Sequence, residues 1–223
     1  MCMWRGRWWR IRRCLGKRTD GVLMRIDPNT IDVQPELVSS GEVLASGQRV
    51  YFRPLRGDQA AALGAYFTGL SQATRRVYGP HPFDQETADG FCAALDSAHT
   101  LRMLAWIEEE GIERIVGYFV VELGVRAGDR RRYEALGLAL HDETDCTLAP
   151  SVADAYQGQG LGSLMMQHLL GLLPRLGRKR MLLWGGVRAD NPRAVHFYTK
   201  FGFRRVGDFE AGGTNNYDMI AEL

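Results

Sequence analysis

The sequence lacks paired cysteines and any spacing that would hold a metal ion. Its four cysteines, at positions 2, 14, 92 and 146, are far apart, and no Cys-x-x-Cys pair occurs. A zinc site needs closely spaced cysteine or histidine ligands, and a disulfide framework needs pairs of cysteines in an oxidising compartment. The five histidines show no such spacing either. We therefore predict no metal cofactor and a cytoplasmic location.

Long apolar runs are also absent. A membrane-spanning helix needs about 20 consecutive apolar residues, and no run in this sequence approaches that length. The chain has 223 residues, of which 45% are hydrophobic and 24% are charged. This composition is ordinary for a globular protein and is enough for one sizeable core. We therefore predict a single folded domain and no membrane span.

Positive charge is concentrated at the start of the chain. Residues 1–25 hold eight Lys and Arg residues and one acid, whereas the rest holds 20 basic and 25 acidic residues. The mildly acidic body suits amine substrates, which are cations at neutral pH. The basic start fits an arm for a membrane surface or a nucleic acid, or a disordered extension ahead of an alternative start at Met24. We favour the extension: residues 1–45 are predicted to be basic and disordered, residues 46–223 to form the domain, and no nucleic-acid partner is expected.

A glycine-rich turn is the most informative feature of the chain. Gln157, Gly160 and Gly162 form the spacing Q-x-x-G-x-G between an apolar segment ending at Val152 and a helical pattern. The N–H groups of a helix's first turn have no partner within the helix and favour a phosphate. A P-loop would need Lys and Ser or Thr after its last glycine, and a dinucleotide-binding loop would need a glycine where Ser163 stands. The spacing therefore indicates a different phosphate loop.

A second segment lies about thirty residues later. Asn191 is a good helix N-cap, and Pro192 suits the first helical position. Gly202 suits the position after a helix, where a left-handed backbone is usual. We predict a short helix from about Pro192 to Lys200, with Tyr198 near its end.

Together the two segments resemble the GNAT superfamily of acetyl-coenzyme A-dependent N-acyltransferases. The resemblance covers roughly residues 50–223. It implies an α/β fold, in which a three-layer α/β/α domain has a central mixed, largely antiparallel sheet that splays at the fourth core strand. The pantetheine arm of acetyl-CoA would lie in that gap. Pro150 is consistent with a loss of pairing there, because proline cannot donate to a strand ladder.

The resemblance also implies which residues hold acetyl-CoA, the acyl-donor substrate. Backbone N–H groups of the loop would bind the pyrophosphate, and the strand before the loop would pair with pantetheine. The N–H of Val152 is the candidate donor to the thioester carbonyl oxygen. The full predicted set is Val152, Ala153, Gln157, Gly158, Gln159, Gly160, Leu161, Gly162, Ser163, Asn191 and Tyr198.

Two residues are candidates for acid–base catalysis. Tyr198 matches the family's general acid, since a phenol with a pKa of about 10 stays protonated at neutral pH. Histone-type relatives carry a glutamate as general base eleven residues before the loop glutamine, but here that position is Cys146. A thiol is a poor base, so we place Glu122 first as a substitute. A water chain, or the acidic cluster at positions 142, 143 and 145, stays open as an alternative.

The predicted function is an N-acetyltransferase. An acetyl group would move from acetyl-CoA to a primary amine of a small molecule or protein by direct attack in a ternary complex. The alternative is a regulatory module that binds acyl-CoA without turnover, which the missing glutamate favours. A homodimer is compatible with either function. The acceptor is left open, because a fold does not define its substrate.

Overall fold

Residues 24–223 are the part of the chain that a computed structural model describes, and within them nine strands form one sheet flanked by six α-helices. The strands are β1 (Ser40–Val43), β2 (Arg49–Pro54), β3 (Thr100–Glu109), β4 (Ile112–Glu122), β5 (Asp145–Val152), β6 (Arg180–Leu183), β7 (Val187–Arg188), β8 (Arg204–Ala211) and β9 (Thr214–Glu222). The helices are α1 (Ala60–Gly69), α2 (Gln72–Val77), α3 (Gln85–Ala93), α4 (Ala127–Ala135), α5 (Leu161–Leu172) and α6 (Pro192–Lys200).

The sheet is mixed and mostly antiparallel, as predicted. Its strand order is β1-β2-β3-β4-β5-β6-β9-β7, and β8 pairs with β9 outside this path. β5 and β6 pair in parallel, and α5 is the crossover between them. The other strand pairs within the described residues are antiparallel.

Apolar side chains cover both faces of the sheet and confirm the three layers. On one face, residues of α5 and α6 such as Met165 and Tyr198 share a core with Phe119 of β4. On the other face, α1 and α3 pack over β3 and β4, with Phe67 and Tyr118 fully buried. α4 extends this second layer over β6 and β9. Each layer follows from strand alternation, because successive side chains point to opposite faces.

The pairing between β5 and β6 ends at Leu148 and Leu183. The N–H of Trp184 still donates to the carbonyl of Leu148 at 2.9 Å, and beyond it the two strands separate. The rest of β5, as far as Val152, remains paired with β4. Along β5, the backbone N–H groups point alternately to β4 and to the gap. The N–H of Ala153 points to β4, so the nitrogen of Pro150, three residues earlier, is on the side of the gap. The missing N–H of Pro150 therefore removes no hydrogen bond between β5 and β4, and the gap matches the predicted splay.

The predicted boundary at residue 46 differs from the structure. Four side chains of the segment 24–45 are buried in the core beneath α5: Ile26, Ile31, Val38 and Leu44. The segment also forms β1, which pairs with β2, whereas disorder was predicted as far as residue 45. Its apolar residues are separated by polar ones in no regular period, so the pattern gave no sign of burial. The predictions for residues 1–23 lie outside the described residues.

His168 of α5 fastens this segment to the domain. Its Nε2 lies 2.9 Å from the carbonyl oxygen of Val38, and its Nδ1 lies 3.0 Å from Oγ of Ser40. Because a carbonyl can only accept, Nε2 carries the proton and Nδ1 accepts from the serine hydroxyl. Burial lowers the pKa of His168 from 6.5 to about 4. The neutral imidazole is therefore part of the folded structure.

None of the helices among residues 24–223 is long and apolar enough to cross a membrane.

We predict that Ile31→Ala lowers the free energy of unfolding by about 2–5 kcal/mol, the usual loss for a buried isoleucine. Ile31 is 0% exposed, whereas Val33 in the same segment is 77% exposed and serves as the matched control. Val33→Ala should change stability by less than about 0.5 kcal/mol. Chemical denaturation measures both. Equal, small effects would show that the segment is not packed on the domain.

We also predict that His168 makes folding sensitive to acid. Below pH 6.5 the unfolded chain binds a proton at this residue that the folded chain does not bind until about pH 4. Stability from this group is therefore fully present above pH 6.5 and falls by up to about 3 kcal/mol as the pH drops toward 4. His168→Gln should flatten this part of the stability profile, whereas His99→Gln, at an exposed site, should not. Identical profiles for all three proteins would contradict the assignment.

Candidate active site

A cavity of about 1170 Å³ opens along the gap between β5 and β6. Its walls come from α2, the free edge of β5, the glycine-rich loop, the turn after β6 and α6. This volume accommodates a ligand of nucleotide size. Eight of the predicted cofactor-binding residues line it: Val152, Gln157, Gly158, Gly160, Gly162, Ser163, Asn191 and Tyr198.

The glycine-rich loop adopts a backbone that favours glycine. Gly158 and Gly160 have φ values of +79° and +89°, in the left-handed region that other residues rarely adopt. Gly160 stands directly before α5. The N–H groups of Leu161, Gly162 and Ser163 belong to the first turn of this twelve-residue helix and have no helical partner. They form the predicted anion-binding corner at one end of the cavity.

Gln157 joins three elements around this corner. Its Nε2 donates to the carbonyl oxygen of Val152 at 3.0 Å and to Oγ1 of Thr74 on α2 at 3.1 Å. Its Oε1 accepts from Nη1 of Arg193 on α6 at 3.0 Å. The side chain therefore fixes the loop to β5, α2 and α6. These three hydrogen bonds explain why a glutamine stands at this fixed spacing before the glycines of the loop.

Three predicted cofactor-binding residues do not line the cavity. Both backbone groups of Ala153 have other partners, since its N–H donates to Val116 and its carbonyl accepts from Tyr156. The sequence had suggested that these groups pair with pantetheine, but they are not free to do so. The side chain of Gln159 bonds back to Ala155. Leu161 is fully buried in the core, so its N–H alone faces the loop.

Val152 has the orientation that its predicted role requires. It alternates with Ala153, whose N–H points to β4, so the N–H of Val152 points into the gap. Its carbonyl is held by Gln157 at 3.0 Å. The N–H is thus available to a carbonyl oxygen in the cavity.

Asn191 and Tyr198 are placed on the cavity wall by α6. Oδ1 of Asn191 accepts from the N–H of Ala194 at 3.1 Å, so this residue is the N-cap of the helix. Tyr198 lies two turns later and is 9% exposed. Its ring packs against Phe197 and Phe203 with centroids 5.4 Å away. Burial raises the pKa of Tyr198 above its usual value, which keeps the phenol protonated.

Glu122 lies behind the cavity wall. It ends β4, and its carboxylate accepts a hydrogen bond from Nη1 of Arg126 at 2.7 Å. The Arg126 guanidinium stacks 4.1 Å from the ring centroid of Trp184, which does line the cavity. Glu122 is not among the lining residues. It is therefore separated from the cavity by Arg126 and Trp184.

Of the other acidic candidates, Glu143 is exposed and does not line the cavity, and the remaining two are engaged elsewhere. Asp142 accepts from Arg130 at 2.6 Å, and Asp145 is fully buried against Arg180, also at 2.6 Å. Cys146 is 0% exposed in the core beneath α5, and burial raises the pKa of its thiol. The thiol therefore stays protonated and does not act as a base.

Basic side chains line the cavity. Arg193 and Lys200 of α6 and Arg76 of α2 all line it. Nη2 of Arg193 would lie 3.9 Å from a Cβ placed on Gly158, so its guanidinium sits over the loop. None of these three residues was predicted from the sequence. For Arg193 a signal was available, because it stands two residues after Asn191 in the second motif.

Among residues 24–223, no group of three or more His, Cys, Asp or Glu side chains is arranged to hold a metal ion.

Comparisons with known proteins agree with this geometry. The model of the acetyltransferase (GNAT) family matches residues 67–203 of the chain. Acetyltransferase PA5475 of Pseudomonas aeruginosa is 30% identical over 146 residues, which are 63% of this chain and 68% of that protein.

Two solved structures illustrate the shared fold. The GNAT domain of S. lividans PAT has a TM-score of 0.66 at 19% identity, covering 85% of this chain and 99% of that one. AAC(6')-Ib in complex with paromomycin and acetyl-CoA has a TM-score of 0.57 at 19% identity, covering 78% of this chain and 93% of that one.

Proposed function

This chain belongs to the GNAT family of acetyltransferases, and we propose that it transfers an acetyl group from acetyl-CoA to a primary amine. The observation that carries the proposal is the gap between β5 and β6. It runs from the free N–H groups at the start of α5 to Trp184 and has Tyr198 on its wall. We also infer a cytoplasmic location, since Cys92 and Cys146 are free.

The residues around the gap fit an extended phosphorylated ligand. Bound acetyl-CoA would supply an acetyl thioester. The first turn of α5 offers N–H groups for its pyrophosphate, and Arg193 adds a positive charge over the same loop. The free edge of β5 offers backbone groups for its amide-containing arm, because pairing with β6 has ended. The N–H of Val152 can donate to the thioester carbonyl oxygen.

The proposed step is direct attack. The amine nitrogen forms a bond to the carbonyl carbon while the carbon–sulfur bond breaks. The amine loses one proton, and the sulfur gains one. Tyr198 is the proposed proton donor to sulfur, because it lies on the cavity wall and its raised pKa keeps it protonated.

Glu122 is the proposed acceptor of the amine proton. Its carboxylate lies on the same face of the sheet as Trp184, and Arg126 connects the two. Since neither Glu122 nor Arg126 lines the cavity, the proton would pass through a water molecule. The molecule that receives the acetyl group is a small molecule or protein with a primary amine.

Release of free thiol tests the proposal. Purified protein is incubated with acetyl-CoA and, in turn, polyamines, amino acids, aminoglycosides and peptides with free N-termini. Thiol release with one class would support the proposal and define the acceptor. Thermal stabilisation by acetyl-CoA without thiol release would instead favour the alternative, a module that binds acyl-CoA without turnover. If acetyl-CoA causes no stabilisation and no amine gives thiol release, both the acetyltransferase and the binding module are contradicted.

Arg193→Ala should weaken acetyl-CoA binding about 10- to 150-fold, because a charge-assisted hydrogen bond contributes about 1.5–3 kcal/mol. The matched control is Arg131→Ala, which removes an exposed arginine of α4 that does not line the cavity. Isothermal titration measures both affinities. Equal affinities for the two variants would show that Arg193 does not contact the ligand.

Tyr198→Phe should lower kcat about a hundredfold, the usual contribution of a general acid, with little change in acetyl-CoA affinity. Tyr156→Phe is the matched control, because Tyr156 also lines the cavity but its hydroxyl donates a hydrogen bond to Glu109. Steady-state kinetics should leave this control near wild type. An unchanged kcat for Tyr198→Phe would exclude the tyrosine as the proton donor.

A further inference from the structure

Asp129 of α4 is a buried carboxylate that contacts the turn after β6. It is 3% exposed and lies in the first turn of the helix that the chain inserts between β4 and β5. Oδ1 accepts from the N–H of Gly185 at 3.1 Å and from Nη2 of Arg132 at 2.5 Å. Oδ2 is buried and has no hydrogen-bond partner among the described residues. The carboxylate is therefore held against the peptide group that joins Trp184 to Gly185.

The turn itself has little freedom. Gly185 and Gly186 have φ values of +66° and +70°, and the N–H of Gly186 donates to the carbonyl of Leu183 at 3.2 Å. A Cβ on Gly186 would lie 2.7 Å from the carbonyl oxygen of Tyr217. The turn thus requires glycine at position 186 and favours it at position 185, where φ is positive but a Cβ would meet no other atom within 4 Å. The orientation of the Trp184–Gly185 peptide is then fixed by the bond to Asp129.

This peptide bond directs a carbonyl toward the cavity. In a trans peptide the N–H and C=O groups point in opposite directions. Since the N–H of Gly185 points to α4, the carbonyl oxygen of Trp184 points away from it, on the side of the turn that lines the cavity. Among residues 24–223, this oxygen accepts no hydrogen bond. A backbone carbonyl in such a place needs a partner from a ligand or from water.

The carbonyl lies at the end of the gap that is farther from the phosphate corner. The phosphate corner follows Val152, and the gap closes where the N–H of Trp184 meets Leu148. Four residues of β5 separate these ends, which is about 13 Å at 3.3 Å per residue. A thioester whose carbonyl oxygen accepts from the N–H of Val152 would therefore leave room for an attacking amine between its carbonyl carbon and Trp184.

We propose that Asp129 is a positioning residue for the acceptor amine. It orients the carbonyl oxygen of Trp184 to accept a hydrogen bond from one N–H of the attacking amine, which aims the nitrogen lone pair at the thioester. The carbonyl takes no proton; the second N–H loses its proton to the base. This role rests on the proposed acetyl transfer and adds to it how the acceptor is held.

The test compares Asp129→Ala with Asp129→Asn. The asparagine oxygen can still accept from Gly185, whereas alanine cannot. We expect Asp129→Ala to lower kcat/KM for the amine at least tenfold and to leave the affinity for acetyl-CoA within twofold. Asp129→Asn should recover most of the activity. Asp129→Ser has a side chain too short to reach the N–H of Gly185, so we expect it to behave like Asp129→Ala. It takes the place of Asp129→Ala if that variant does not fold.

The hydrogen bond has a direct readout that does not depend on activity. Exchange of the Gly185 amide proton, followed by NMR, should be slow in wild type and in Asp129→Asn and at least tenfold faster in Asp129→Ala. Asp32→Ala is the matched control, because the Asp32 carboxylate also accepts from a backbone N–H, that of Ser97, and Asp32 does not line the cavity. This control should leave the Gly185 exchange and the amine kinetics unchanged.

Several outcomes would overturn the role of Asp129. Equal activity of Asp129→Ala and wild type would do so, as would equal losses for alanine and asparagine. A changed pH profile of kcat in Asp129→Asn would make Asp129 the base rather than a positioning residue. Wild-type turnover is measured first: its absence with every amine counts against the proposed function, whereas an active wild type with an unaffected alanine variant contradicts the positioning role alone.

Discussion

The end of the pairing between β5 and β6 is the constraint on which the site depends. The two strands pair in parallel as far as Leu148 and Leu183 and then separate. Pro150 has no N–H to offer to a continued ladder, and the glycine turn after Trp184 leads the chain away. The free edge of β5 then becomes a cavity wall. If β6 had continued beside β5, the space for an acyl donor would be filled by a strand.

Hydrogen bonds from two side chains hold the rest of the cavity around this gap. Gln157 connects the loop to β5, α2 and α6. The Asp154 carboxylate accepts from the N–H and hydroxyl of Ser71 at 2.9 and 2.7 Å and from the hydroxyl of Thr74 at 2.7 Å. Although partial burial acts to raise it, these bonds hold the pKa of Asp154 below its ordinary value. Asp154 therefore stays charged at neutral pH, and its hydrogen bonds hold α2 over the phosphate corner.

Local signals were enough to predict the loop and α6. The predicted turn joins β5 to α5, with a left-handed backbone at Gly158 and Gly160, and α6 begins and ends at the predicted residues. Contacts between distant parts of the chain were not predictable in this way. The burial of Ile31 depends on α5, more than a hundred residues away, and the contact of Asp129 with Gly185 depends on how α4 packs over β6. The backbone of Ala153 was assigned to pantetheine because the sequence does not show that β4 already binds it.

The measurement that tests the central claim most directly is isothermal titration of the protein with acetyl-CoA. The geometry predicts one site per chain with an affinity that falls when the first turn of α5 is blocked by Gly162→Val, since a valine there would place its branched side chain beside Phe197 and Val152. Saturable binding that this substitution weakens would place the acyl donor in the gap between β5 and β6. No binding at saturating acetyl-CoA, or binding that Gly162→Val leaves unchanged, would contradict that placement.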